Sequence, residues 1–359
     1  MSKVLLVANH DVVLYNFRLE LIERLLQDGN EVIIVSPYGT RIEDLKSLGC
    51  QYVKIDMDRH GTNPVKDLKL LANYKKVLKS IKPDMVFTYT IKPNIYGAMA
   101  CKALKIPCVV NITGLGTAVE QKGVLQKITL ALYKIALKKV QTIFFQNEEN
   151  MRFFRGKNLY PEKHKLLPGS GVNLKKFAVQ EYPDDKIVRF VFVARLMKEK
   201  GIDQYLEAGE YIKKKYPKTE FHICGFCEDE YKDKLEKLKG NETVIYHGMV
   251  GDMTEIYRNM HCTVHPTYYP EGLSNVLLES CACARPIITT DRAGCREVVE
   301  DGINGFVVKE KDSRDLIEKI EKFLSLSYGE KRRMGLNGRA KVEREFDRNI
   351  VIDAYLKEL

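Results

Sequence analysis

The sequence predicts an α/β protein built from two doubly wound parallel sheets that face each other across a cleft. Three observations predict it. Apolar runs such as "KVLLVA" (3–8), "EVIIVSP" (31–37) and "VRFVFVA" (188–194) are continuous rather than alternating, as strands buried on both faces require. Amphipathic segments at helical spacing separate these runs. The alternation also lapses once, at "FAVQEYPDDKI" (177–187), and then restarts.

In the first half, "KVLLVA" is followed by the helical pattern "FRLELIERLLQDG", with Gly29 as its stop, and then by "EVIIVSP". A helix at 41–48, a strand at 51–55, a helix at 65–81, the strand "DMVFTYT" (84–90), a helix at 94–104 and the strand "PCVVNIT" (107–113) continue the rhythm. After the polar stretch, which reads as the interdomain linker, come the strand 188–194, a helix at 202–216, "EFHICG", a helix at 229–239, "TVIYHG", a helix at 252–259, "CTVHP", a helix from about 274, and "PIITT". This places an N-terminal domain at 1–180 and a C-terminal domain at 186–344. The helical tail, about 345–359, is expected to pack back on the first domain. In open α/β sheets, ligands bind at the C-terminal ends of the strands, so the site is expected there.

The chain of 359 residues is long enough for two cores. It has no apolar run of spanning length, and its N-terminal run lacks a small-residue cleavage site, so neither a transmembrane helix nor a signal peptide is expected. Nine cysteines without repeated spacing fit a reduced, cytoplasmic protein. The net charge of +10 is unevenly placed: residues 1–180 carry 28 Lys+Arg against 15 Asp+Glu, and the remainder 30 against 33. A basic first half suits a phosphate-rich or membrane-surface partner, or a merely solvated helical surface. The segment "GVLQKITLALYKIALKKV" (123–140) poses the same choice. Lys127, Lys134 and Lys138 share one helical stripe, so it is either an interfacial helix for an anionic membrane or a core helix with a solvated face.

Two stretches of the second half carry candidate chemistry. In "FVARLMKEKG", Arg195 and Lys200 lie in the loop after the first strand, where two cations suit a diphosphate. In "PTYYPEGLSNVLLES", Gly272, Leu273, Ser274 and Asn275 precede or open a helix whose first-turn amides can face an anion. Glu279, in the second turn, could hold a vicinal diol, and Glu271 would face whatever lies beyond the diphosphate.

Together, "ARLMKEKG" and the Glu-x7-Glu stretch "EGLSNVLLE" resemble the retaining nucleotide-sugar glycosyltransferases of family 4, which have the GT-B fold of two Rossmann-like domains. "LPGSGVNLKKF" (167–177) and "PIITTDRAGCREVVEDGINGFVV" (286–308) resemble further segments of that family. "TYTIKPNIYGAMA" and "NITGLGTA" resemble a subgroup of bacterial polysaccharide enzymes that includes transferases extending undecaprenyl-diphosphate-linked sugars. The resemblance implies that Arg195 and Lys200 neutralise the donor diphosphate, that the amides around Gly272, Leu273, Ser274 and Asn275 cradle it, that Glu279 holds the ribose, and that Glu271 contacts the donor sugar. The implied donor is a nucleotide-diphosphate sugar, with a UDP-sugar as the first reading and UDP-N-acetylhexosamine as one option. The implied acceptor is a lipid-diphosphate-linked saccharide in capsule, O-antigen or glycan synthesis. No metal, cofactor or nucleic acid is implied, and the implied location is the cytoplasmic face of the plasma membrane.

The chain departs from the family twice. Many members carry a first-domain His near the donor sugar where this chain reads "TYTIKPN", and a Gly-Gly pair where it reads "ANHDVVLYNF". His10, Asp11, Lys92, Asn94, Thr113 and Gly114 are therefore the candidates for gripping sugar or acceptor. "DMD" (56–58) mimics a metal-binding motif but follows a first-half strand, and "CGFC" (224–227) mimics a redox motif without a thioredoxin pattern around it. A nucleotide-sugar epimerase, a phosphorylase or an inactive nucleotide-sugar sensor are the alternatives.

Overall fold

The computed structural model describes the chain except residues 59–62, 117–118, 120–121, 241–242 and 271, with 239 described in its backbone only. The chain divides into two compact units: Met1–Ser170 with Asn349–Leu359, and Gly171–Arg348.

Unit 1 is a seven-stranded parallel sheet in the order β3-β2-β1-β4-β5-β6-β7. Its strands are β1 (Lys3–Val7), β2 (Glu31–Ser36), β3 (Gln51–Lys54), β4 (Met85–Tyr89), β5 (Cys108–Ile112), β6 (Thr142–Phe145) and β7 (His164–Leu166). The connecting helices are α1 (Asp11–Gln27), α2 (Ile42–Ser47), α3 (Pro64–Ile81), α4 (Ala98–Leu104), α5 (Val124–Ala136) and α6 (Glu148–Gly156). The continuous apolar runs have the expected cause. In β1, Leu5 and Val7 join one core cluster, while Val4 and Leu6 join another on the opposite face. α4 is preceded by a π-helical turn, Pro93–Gly97, and Thr90, just before it, holds φ 70°, a conformation costly for a β-branched residue.

Unit 2 is a six-stranded parallel sheet in the order β10-β9-β8-β11-β12-β13. Its strands are β8 (Val188–Val193), β9 (Thr219–Cys224), β10 (Ile245–Tyr246), β11 (Cys262–His265), β12 (Ile287–Thr290) and β13 (Gly305–Val308). Its helices are α7 (Ile202–Lys215), α8 (Lys232–Gly240), α9 (Met253–Asn259), α10 (Asn275–Ala282), α11 (Ser313–Ser325) and α12 (Tyr328–Glu345).

The boundary differs from the sequence expectation. Residues 177–187 are not a linker but part of unit 2. The buried Arg285 guanidinium donates to the carbonyls of Gln180 (3.2 Å) and Glu181 (2.6 Å), and the Tyr182 hydroxyl donates to the His261 carbonyl at 3.0 Å. A polar, proline-bearing segment thus finds its backbone partners inside the fold, which composition does not reveal. The crossings between units fall at 170/171 and 348/349. Val172 N donates to Phe346 O at 2.8 Å, and Arg348 N to Val172 O at 3.1 Å. Gly171 has φ 67°, and a Cβ there would lie 2.5 Å from Arg348 Cα, so only glycine fits.

The last helix, α13 (Arg348–Leu356), carries its later residues into unit 1. Tyr355 is buried, meets Phe87 edge-on at 5.0 Å and accepts from Asn111 Nδ2 at 2.6 Å. Glu358 accepts from Thr142 Oγ1 at 2.7 Å.

α5 combines the two expectations for its segment. Thr129, Tyr133 and Ala136 are buried, whereas Val124, Leu125, Ile128 and Ile135 are exposed beside exposed Lys127, Lys134 and Lys138. Among the described residues, no helix is long and apolar enough to cross a membrane. The nine cysteines are free thiols.

Candidate active site

The site in unit 2 is assembled from two loops at the C-terminal ends of adjacent strands. The first follows β8. Ala194 N donates to Cys224 O (3.1 Å) and Leu196 N to Phe226 O (2.8 Å), which tie this loop to the one after β9. Leu196 is buried, so Arg195, between two anchored residues, is turned outward; its side chain is 54% exposed and 3.7 Å from Glu228. A 3-10 turn, Lys198–Lys200, then brings Lys200 to the end of the loop.

The second loop follows β11 and is bonded to the first. Tyr268 N and Thr267 Oγ1 both donate to Glu199 O, at 2.9 and 3.2 Å. The Lys200 ammonium lies 4.7 Å from the Tyr269 ring centroid. Gly201, at φ 78°, packs so tightly that a Cβ would lie 2.1 Å from Pro266 O. Gly201→Ala is therefore expected to cost at least about 1–3 kcal/mol through backbone strain alone. A melting temperature equal to the parent's would refute the tight-packing account.

α10 begins directly after this loop. Its N-cap, Ser274, makes no side-chain cap bond, so its hydroxyl does not occupy the first-turn amides. One expectation needs correcting here. The Ser274 amide donates to Gly294 O at 2.8 Å and is not available for an anion. Leu273 and Ser274 are buried and anchor the loop, and Asn275 starts the helix. Glu271 lies outside the described residues.

Glu279 is not a solvent-side residue. It is half-buried in the second turn of α10, with the buried Tyr257 hydroxyl 3.4 Å from its Oε2. Burial pushes its carboxyl up to about 7, against the opposing pull of Arg348, Lys176 and the Tyr257 hydrogen bond. A partly desolvated carboxylate with cations nearby suits neutral hydroxyl donors. Tyr257 and Arg348 were not legible as site residues, since each is remote in sequence from the motif. Lys176 falls in the quoted "LPGSGVNLKKF", but nothing in that stretch signals its proximity to Glu279.

In unit 1 the candidates gather at the C-terminal ends of β1, β4 and β5, which are neighbours in the sheet. Most are engaged by the fold itself. His10 caps α1, its Nδ1 accepting from Val12 N at 3.1 Å. Asp11 is fully buried and accepts the Arg41 amide at 2.6 Å. Lys92 pairs with Asp67 at 2.8 Å, and Asn94 donates to Asn111 O at 2.8 Å. Thr113 and Gly114, just past β5, are half-buried. The side-chain oxygens Thr90 Oγ1, Asn94 Oδ1 and Asn111 Oδ1 are nonetheless buried without protein partners, so hydrogen-bonding capacity is left at this end of the sheet.

The two mimicking motifs resolve simply. Asp56 pairs with Lys54 (3.3 Å) and Asp58 with Lys66 (3.2 Å). Cys224 is buried while Cys227 is half-buried, and both are free thiols.

Two parallel α/β units in one chain are the GT-B architecture of glycosyltransferases. The comparisons agree: residues 173–341 match the family described as "Glycosyl transferases group 1", and residues 3–147 match "Glycosyl transferase 4-like". The chain belongs to the family 4, group 1 glycosyltransferases. It is 28% identical to the N,N'-diacetylbacillosaminyl-diphospho-undecaprenol alpha-1,3-N-acetylgalactosaminyltransferase of Campylobacter jejuni, over 96% of this chain and 94% of that one. It is also 28% identical to the capsular polysaccharide biosynthesis glycosyltransferase CapM of Staphylococcus aureus, over 92% and 90%. Among solved structures, Anabaena Alr3699/HepE in complex with UDP-glucose shares the fold, with TM-score 0.81 and 16% identity, covering all of both chains.

Proposed function

We propose that this glycosyltransferase moves a sugar, with retention, from a UDP-sugar to a lipid-diphosphate-linked saccharide. The observation that carries the donor half is the bonding of the Arg195–Lys200 loop onto the loop that opens α10, with Glu279 one turn further in. In the reaction the bond between the anomeric carbon and the β-phosphate oxygen breaks, and the acceptor oxygen bonds to that carbon. The acceptor proton leaves with the diphosphate. Arg195, Lys200 and the α10 first turn meet the charge growing on the leaving group. Glu279 holds the ribose diol, and Glu271 is assigned to the donor sugar. The lipid-linked acceptor is supported by the Campylobacter relative, whose name specifies a diphospho-undecaprenol substrate. Incubating the protein with a panel of UDP-sugars and an undecaprenyl-diphosphate-linked saccharide, then resolving the products, tests this. An epimerised donor, or no extended lipid, would sink it.

The protein is further proposed to work at an anionic membrane surface at the cytoplasmic face, held by α5. The exposed Val124, Leu125, Ile128 and Ile135 provide apolar area, and the flanking lysines provide charge. Co-sedimentation with phosphatidylglycerol vesicles is expected at low salt and is expected to weaken as salt rises. The double variant Ile128→Glu with Ile135→Glu should lose it while retaining activity on a water-soluble acceptor analogue. Binding by the double variant equal to wild type would exclude α5 as the docking element.

A further inference from the structure

His265 is the last residue of β11, and its surroundings are unusual for a buried histidine. Cys262 and Val264 face the core cluster containing Ile288 and Phe306. Thr263 faces the other way, where its Oγ1 accepts from Ser280 Oγ of α10 at 2.8 Å. By strand alternation His265 shares the face of Thr263. Two residues further along a strand is about 7 Å. α10 runs back along the sheet at about 1.5 Å per residue, so the same distance spans roughly four to five helical residues from Ser280. That places the His265 ring level with Asn275 and Val276, beneath the first turn. His265 is only 2% exposed, yet neither ring nitrogen has a protein partner. Asn275 Oδ1 is likewise buried without one. Buried polar atoms are nearly always paired, so these orphans at one end of one helix mark an incomplete network. Burial first, and the Lys200 ammonium second, push the imidazole down to about 3, so the ring is neutral, with one N–H and one lone pair.

We propose that His265 is a positioning residue of the donor site, bridging Asn275 and Lys200 when a diphosphate is bound. Its N–H donates to Asn275 Oδ1, and its other nitrogen accepts from the Lys200 ammonium. The bridge fixes the cation against the α10 first turn, so both meet the same phosphate. The inference rests on the UDP-sugar reading above and adds a residue to it.

Titration calorimetry with UDP and UMP on the full chain tests it. Wild type is expected to prefer UDP. His265→Phe, which keeps a ring but no nitrogens, should lose about tenfold in UDP affinity with UMP unchanged, the worth of one hydrogen bond to a charged group. Its melting temperature should match or exceed wild type, because orphaned polar atoms are replaced by an apolar ring. His265→Asn, retaining a donor and an acceptor, should recover part of the preference. Asn275→Leu should reproduce the UDP-specific loss, and it decides the matter if the Phe variant does not fold. Wild-type UDP preference in His265→Phe or Asn275→Leu overturns the bridge, as does an equal loss for UDP and UMP. A wild-type protein that binds neither nucleotide overturns the donor reading and this inference with it.

Discussion

Lys200→Ala is expected to lower kcat/KM for sugar transfer by on the order of 10²–10³-fold, the usual consequence of removing one preorganised charge from a developing anion. Arg195→Ala is expected to do the same. The fold should barely respond to the latter. The Arg195 side chain is 54% exposed and its contact with Glu228 is long, at 3.7 Å, so its structural contribution falls within about 0.5 kcal/mol. Steady-state kinetics with a UDP-sugar and unfolding curves for each variant separate the two effects. Activity within a fewfold of wild type in either variant would remove that residue from the diphosphate assignment. Loss of the folded transition alongside loss of activity would make the role structural instead.

Glu279→Gln is expected to uncouple stability from binding. Burial raises the Glu279 carboxyl to about 7 in the folded protein, from an ordinary value of 4.5. The sign of the linkage follows. Between these values the folded state holds a proton that the unfolded state releases, so stability falls as pH rises from about 4.5 to about 7 and is level above that. Glutamine carries no such penalty. The variant should therefore be more stable than wild type at pH 8, by on the order of 2 kcal/mol, and the gain should vanish near pH 4. Donor affinity should move the other way. A carboxylate accepts from both ribose hydroxyls, whereas the amide offers one acceptor and one donor group. UDP-sugar affinity in wild type should accordingly strengthen as pH rises through about 7, and in Glu279→Gln it should be weak and flat with pH. A wild-type affinity that is flat between pH 6 and 8, or a variant no more stable at pH 8, would refute the desolvated-carboxylate account.

Most of the strands were legible because burial on both faces leaves a continuous apolar run, as in Val4–Val7 and Val188–Val193. β10 shrinks to Ile245–Tyr246 because it is the sheet edge, where one side lacks a partner and the apolar signal does not fix its length. "FAVQEYPDDKI" reads as a linker because it is polar in composition, yet Arg285, some hundred residues later, donates to two of its carbonyls and holds it in unit 2. The stretches proposed to form the donor site, "ARLMKEKG" and "EGLSNVLLE", stand out in the sequence because the residues of each are close together in the chain.

By itself, the sequence determined the two parallel-sheet units and the family to which the chain belongs. Those are set by local periodicity and by short spacings. Tertiary structure alone decided where the units divide, that the Ser274 amide is bonded to Gly294, and that Lys92 is paired with Asp67. It also decided the electrostatic state of Glu279 and the burial of His265 with neither ring nitrogen bonded. These depend on desolvation and on partners distant in the chain, such as Tyr257, Lys176 and Arg348 around one carboxylate. Such environments exist only once the chain has folded.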